Sequence, residues 1–212
     1  MSPEAAAGAA ATVFVVDDDH AVRDALSALL RVAGWRVRCF GSSSDFLESF
    51  DPDLPGCLVL DLMLPGLDGL ALQQELAERE LEIPIIFVTG HGDVPTSVRA
   101  IKAGAVDFLE KPFDQDLLCR RVAEALALDE ARRGQRRRAS ELQRRYQQLT
   151  PREREVMTLV VRGESNKRIA ALMALSHRTV EIHRSRVMEK MGARSLPELV
   201  AMAVSCGVHA LE

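Results

Sequence analysis

Between Val13 and Leu128 five short apolar runs alternate with five amphipathic stretches, and this alternation limits the fold more than any other feature of the chain. The apolar runs are Val13–Val16, Val37–Phe40, Leu58–Leu60, Ile85–Val88 and Val106–Leu109. Ala21–Val32, Ser44–Phe50, Leu70–Arg79, Val94–Ala103 and Gln115–Leu128 follow them in turn, with apolar residues at helical spacing. A strand covered on both faces reads as an unbroken apolar run, and parallel strands need a helical crossover between them. Five such units predict an α/β domain with a parallel sheet and helices on both faces. Gly34 and Gly104 fall just past two of the helices, where a C-cap glycine belongs.

The pattern changes after Leu128. Asp129–Gln148 is rich in Arg and Gln and poor in apolar residues, and reads as a linker. A continuation of the fifth helix into it would have to cross Gly134, a weak helix former. From Thr150 onward no strand pattern remains. Thr150-Pro151-Arg152-Glu153 places Thr at N-cap, Pro at N1 and Glu at N3, a full capping-box signature. That helix carries Val156, Leu159 and Val160 inward and stops at Gly163. Asn166–Met173 follows a Ser165 cap, a third helix runs from Ser176 to Met191, and Leu196–Val204 forms a fourth. Four short helices, the second and third joined by a tight turn, describe a helix-turn-helix unit. On this reading the domains are 11–128, a linker at 129–148, and 149–212.

Charge separates the same two halves. Residues 1–127 hold 10 Lys and Arg against 21 Asp and Glu, whereas residues 128–212 hold 17 against 10. An acidic module and a basic one imply different partners, the second facing a polyanion. No apolar run approaches the roughly 18–20 residues of a membrane helix. The first residues lack the basic and apolar regions of a secretory signal. Cys39, Cys57, Cys119 and Cys206 are scattered, as small core residues of a reducing compartment are, so a cytoplasmic protein with no membrane partner is expected.

Chemistry concentrates at the predicted strand ends. Asp17, Asp18 and Asp19 follow the first strand, Asp61 the third and Thr89 the fourth, and Lys111 lies just past the fifth. In an open parallel sheet, ligands bind beyond the carboxyl ends of the strands. Clustered carboxylates suit Mg2+, a hard ion that takes oxygen ligands. A carboxylate beside such an ion is able to attack a phosphoryl group, with the lysine and hydroxyl neutralising its oxygens. Asp19 also reads as an N-cap, and Asp61 with Lys111 as a structural ion pair.

VVDDD, LVLDLMLPGLDGL, IIFVTGHGD and AVDFLEKPF together make Val13–Phe113 resemble the receiver domain of two-component response regulators, a flavodoxin-like (βα)5 fold. The resemblance implies that Asp61 is the phosphoacceptor and that Asp18 and the Met63 carbonyl ligate Mg2+, with Asp17 assisting through water. It also implies that Lys111 pairs with the phosphate, Thr89 hydrogen-bonds it, and Phe108 is the aromatic switch whose rotamer follows the threonine. Lys111-Pro112 matches a lysine–proline bond that is cis in the family, and the LPGLDG turn with Gly69 supports the phosphorylation loop. His91, two residues past Thr89, reads either as a modulator of phosphoryl lifetime or as an exposed loop residue.

LTPREREV, NKRIA and RTVEIHRSRVMEKM make the basic module resemble the all-α, four-helix LuxR-type helix-turn-helix domain, and the whole chain a FixJ-like member of the NarL/FixJ group. Val180, Val187 and Met191 share one face of the third helix. The rest of that helix is expected to turn Thr179, His183, Arg184, Arg186 and Lys190 toward double-stranded DNA, with Lys167 and Asn166 gripping backbone phosphate. Glu181 is expected to pair with a neighbouring Arg. Leu199, Val200 and Ala203 are expected to exceed what a small core needs and to pair two copies over an inverted repeat. The resemblance implies a sensor histidine kinase as phosphodonor and a homodimer after phosphorylation. The alternatives are a Mg2+-dependent phosphohydrolase and a phosphate sink without DNA output. Haloacid-dehalogenase-like enzymes usually carry an acid two residues after the nucleophile, where this chain has Met63.

Overall fold

The computed structural model describes residues 11–90 and 93–208. Two compact units part between Arg133 and Gly134.

In the first unit β1 (Thr12–Val16), β2 (Arg36–Phe40), β3 (Gly56–Leu60), β4 (Ile85–Thr89) and β5 (Asp107–Glu110) form one parallel sheet in the order β2-β1-β3-β4-β5. The central strands β1, β3 and β4 are buried along their whole length, which is why their sequences are continuous apolar runs. Successive side chains still alternate between two cores. Phe14, Val16, Leu58, Leu60 and Phe87 face one side, closed by α2 (Ser43–Ser49), α3 (Gly69–Glu78) and α4 (Val94–Lys102). Val13, Val15, Val59, Ile86 and Val88 face the other, closed by α1 (His20–Val32) and α5 (Gln115–Gln147). Gly56 is obligatory where β3 begins, because a Cβ there would collide with the Thr12 carbonyl and the Phe14 ring. The fifth strand starts one residue later than its apolar run, since its ladder aligns Ile86 with Asp107 and Phe87 with Phe108.

The helix α5 continues through Gly134 to Gln147. One glycine weakens a helix by only about 1 kcal/mol relative to alanine. The flanking residues are mostly Ala, Arg, Gln, Glu and Leu, which favour helix.

The second unit packs α6 (Pro151–Val161), α7 (Asn166–Met173), α8 (His177–Met191) and α9 (Leu196–Ser205) around Val156, Met157, Ile169, Val180, Val187 and Met191, with Leu142 and Tyr146 of α5 against them. The capping box is formed: Thr150 N donates to Glu153 Oε2 at 2.8 Å, and Glu153 N to Thr150 Oγ1 at 3.3 Å. Ser165, Ser176 and Ser195 cap the next three helices. One expectation for α9 is overturned. Leu199 and Ala203 are buried in the core; the outward stripe is Leu196, Val200 and Val204, of which Leu196 and Val204 are exposed and Val200 is half-buried. Four helices close the core only if α9 contributes its own apolar face.

Candidate functional site

The chain leaves β1 outward to β2 and returns across β1 to β3, so the carboxyl ends of β1 and β3 lie side by side at the switch in strand order. Asp61 N donates to Val16 O at 2.8 Å, fixing the end of β3 against β1. Asp17, Asp18 and Asp61 thereby converge: one oxygen from each lies within 4.8 Å of the others. Asp17 and Asp61 are buried and Asp18 is exposed.

Lys111 closes the group from β5. Its Nζ lies 2.7 Å from Asp17 Oδ2 and 2.8 Å from Asp61 Oδ2. Its backbone N–H donates to Thr89 O at 2.7 Å, and the Lys111-Pro112 bond is cis, as the resemblance implied. The remaining carboxylate oxygens are held by the backbone, Asp17 Oδ1 by Asp19 N (2.9 Å) and Asp61 Oδ1 by Met63 N (3.0 Å). Gly69 lets α3 approach this loop, since a Cβ there would strike the Asp61 carbonyl and crowd Leu62 and Phe87. Asp19 is the N-cap of α1, accepting from Ala21 N at 2.8 Å. Thr89 is fully buried at the end of β4. Phe108 is half-buried, its ring centroid 6.0 Å from that of Phe87. His91 lies outside the described residues.

Three carboxylates converge on a pocket with one ammonium, which pairs with Asp17 and Asp61, so the pocket carries excess negative charge. Burial pushes the Asp17 carboxyl above its ordinary range against the hydrogen bond from Lys111, and the Asp61 charge adds to the rise. Burial would lower Lys111, but its bonds to Asp17 and Asp61 outweigh this and hold its ammonium above the ordinary value. Hard oxygen donors with unbalanced negative charge fit a divalent cation.

In the second unit α8 presents Arg178, Ile182, Ser185, Arg186 and Glu189 opposite the buried Val180, Val187 and Met191. Lys167 is exposed at the start of α7, and Thr179 Oγ1 lies 2.7 Å from the Ser176 cap hydroxyl. Three expectations change. Lys190 does not face outward: its Nζ reaches Glu153 Oε2 at 2.6 Å and Gln148 O at 3.3 Å, tying α8 to the start of α6. Arg184 is half-buried and donates to Asn166 Oδ1 at 2.8 Å, tying α8 to α7. Glu181 pairs with His177 at 3.4 Å, one turn before it, rather than with an arginine. His183 is half-buried, with its Nδ1 enclosed. Arg178 and Ile182 join this outward face without having been expected there, although the helical period counted from Val180 places both on it.

Residues 13–123 match the response regulator receiver domain, and residues 147–203 match the luxR family of bacterial regulatory proteins. Nodulation protein W of Bradyrhizobium diazoefficiens is 50% identical over 201 residues, spanning 94% of this chain and 88% of its own length. Transcriptional regulatory protein FixJ of Rhizobium meliloti is 44% identical over 200 residues, 92% of this chain and 96% of its own. The solved structure of response regulator StyR superposes with a TM-score of 0.87 at 44% identity, covering 92% of this chain and 99% of that one. Full-length FixJ from B. japonicum gives 0.56 at 43% identity, covering 94% and 98%. No helix among the described residues is long and apolar enough to cross a membrane. The chain belongs to the two-component response regulators of NarL/FixJ type, DNA-binding transcriptional regulators with a receiver domain and a LuxR-type helix-turn-helix domain.

Proposed function

We propose that Asp61 is the phosphoacceptor of this response regulator and that Mg2+ is its cofactor, held by Asp17, Asp18, Asp61 and the Met63 carbonyl. The observation that carries the reading is Asp61 itself, a buried carboxylate at a strand end that shares the Lys111 ammonium with Asp17. An Asp61 oxygen attacks the phosphorus of a phosphohistidine on a sensor histidine kinase. The phosphorus–nitrogen bond breaks, an acyl phosphate forms, and the imidazole leaves. When bound, the cation neutralises charge on the phosphoryl oxygens. Lys111 passes from Asp61 Oδ2 to a phosphoryl oxygen, and the Thr89 hydroxyl hydrogen-bonds another. The phosphoryl group stays on the protein, which acts in the cytoplasm as a switch rather than as an enzyme on free substrates. Met63 in place of a second acid, and the family, both speak against a phosphohydrolase.

Phosphorylation then biases two pre-existing states of Thr89, Phe108 and the α4–β5 face. Val94, Val98 and Ile101 are exposed on α4 and supply an apolar surface for a receiver homodimer. In the DNA-binding domain Lys167, Thr179 and Arg186 contact double-stranded DNA, joined by Arg178, Ile182 and the exposed part of the His183 ring. Helix α9 pairs two copies over an inverted repeat through Leu196, Val200 and Val204.

The test is promoter affinity with Mg2+ and beryllofluoride, a phosphoryl mimic. Tighter binding by wild type and not by Asp61→Asn supports the reading. An equal gain in both proteins, or none in either, overturns it.

A further inference from the structure

The helix α5 carries a buried ion pair at the foot of the receiver, at the opposite end of β3 from Asp61. Asp129 is 1% exposed, and its Oδ2 accepts both the Gly56 N–H at 2.9 Å and Arg133 Nε at 2.7 Å. Arg133 spreads the rest of its fork over the loop before β3. Nη1 donates to Asp53 O at 3.0 Å, and Nη2 donates to Pro52 O at 2.8 Å and Leu54 O at 2.6 Å. Two side chains one helical turn apart thus satisfy a strand's first N–H and three loop carbonyls about 80 residues earlier in the chain. The group lies at the far end of β3 from the phosphoacceptor pocket and takes no part in its chemistry.

The next residue is Gly134. A Cβ built there meets nothing within 4 Å, so packing does not demand a glycine. The compact units part at the same bond, between Arg133 and Gly134. Beyond it, Leu142 and Tyr146 pack into the core of the DNA-binding unit.

We propose that the Asp129–Arg133 clasp makes the first part of α5 a structural piece of the receiver and that Gly134 is the joint of the linker helix. The receiver then extends to Arg133, and bending between the two domains is concentrated at the one residue of the helix with least helical preference. A phosphorylation signal that changes domain arrangement needs such a joint.

Hydrogen exchange on the full-length protein, read by mass spectrometry, tests the clasp and the joint without reference to Asp61. In wild type, amides of 126–133 exchange at receiver-like rates and those of 134–139 at least tenfold faster. Asp129→Asn and Arg133→Lys both speed exchange of residues 51–57 and 126–133 while leaving β4 unchanged. Gly134→Ala slows exchange at 134–139 by about fivefold, the helix-interior difference between glycine and alanine. The same variant lowers the ratio of promoter affinities with and without beryllofluoride. Uniform exchange across 126–139 in wild type overturns the joint, and unchanged exchange at 51–57 in both clasp variants overturns the clasp. An altered exchange profile in Gly134→Ala with an unchanged affinity ratio overturns the role in signalling, whereas loss of the beryllofluoride response in wild type itself would fault the Asp61 reading instead.

Discussion

Replacing Lys190 by Met separates a structural lysine from a DNA-contacting one. Glu153 is 2% exposed and holds three partners: Thr150 N and Oγ1 through the capping box, and Lys190 Nζ at 2.6 Å. Removing one partner of a buried pair costs about 3–5 kcal/mol when the remaining charge is uncompensated. Here the Lys190 side chain is 33% exposed and Glu153 keeps its backbone bond, so about 2 kcal/mol is expected. For a domain of this size that lowers the unfolding midpoint by roughly 8–16 °C. The loss has a pH signature. Burial pushes the Glu153 carboxyl up, but the bonds from Lys190 and Thr150 outweigh it and hold the carboxyl below its ordinary value near 4.5. A group depressed in the folded state stabilises fully above its unfolded value and loses that contribution as pH falls through the folded one. The wild-type advantage over Lys190→Met is therefore constant from pH 6 to 8 and shrinks below about pH 4.5. Calorimetry across pH reads both effects. A stability gap independent of pH, or an unchanged midpoint with a shallower salt dependence of DNA binding, would refute the reasoning.

Three further outcomes follow from the same structure. Gly69→Ala drives a methyl into the Asp61 carbonyl and the Phe87 ring, so denaturant titration is expected to show a loss of about 1–3 kcal/mol, with slower phosphorylation. Leu199→Ala empties a core position and costs about 2–5 kcal/mol, whereas Val204→Ala leaves folding stability within about 0.5 kcal/mol and weakens dimer formation on DNA, both read by thermal unfolding and gel shift. Arg186→Ala reduces the slope of log affinity against log salt by about 0.9, the value for one lost phosphate contact, while Ile182→Ala leaves that slope unchanged and alters sequence preference in a binding-site selection.

What the sequence discloses and what it conceals divide along physical lines. The central strands were legible because burial on both faces forces an unbroken apolar run, as at Val13–Val16 and Ile85–Val88. The acidic pocket was legible because its members sit at fixed offsets from those runs; the sheet order then brings Asp17, Asp61 and Lys111 together. Thr150 with Glu153, and the serines at 165, 176 and 195, announced four helix starts through local hydrogen bonding alone. The roles of Lys190 and Arg184 are hidden in the sequence because a helical wheel gives direction but no neighbour: their long side chains turn aside to Glu153 and Asn166 on adjacent helices. Asp129 and Arg133 read as part of a solvated charge run because their partners, Pro52 to Gly56, lie about 80 positions away. Leu199 and Ala203 are needed inside because a four-helix core is larger than the helix patterns alone indicate: Leu142 and Tyr146 of α5 and the apolar face of α9 both pack into it.

Everything proposed for the switch depends on Asp61 carrying the phosphoryl group. Intact mass after incubation with Mg2+ and a small-molecule phosphodonor, for wild type and Asp61→Asn, tests it most directly. One added phosphoryl group is expected on wild type, lost when Mg2+ is chelated beforehand, and none on Asp61→Asn. Equal phosphorylation of both proteins would contradict it.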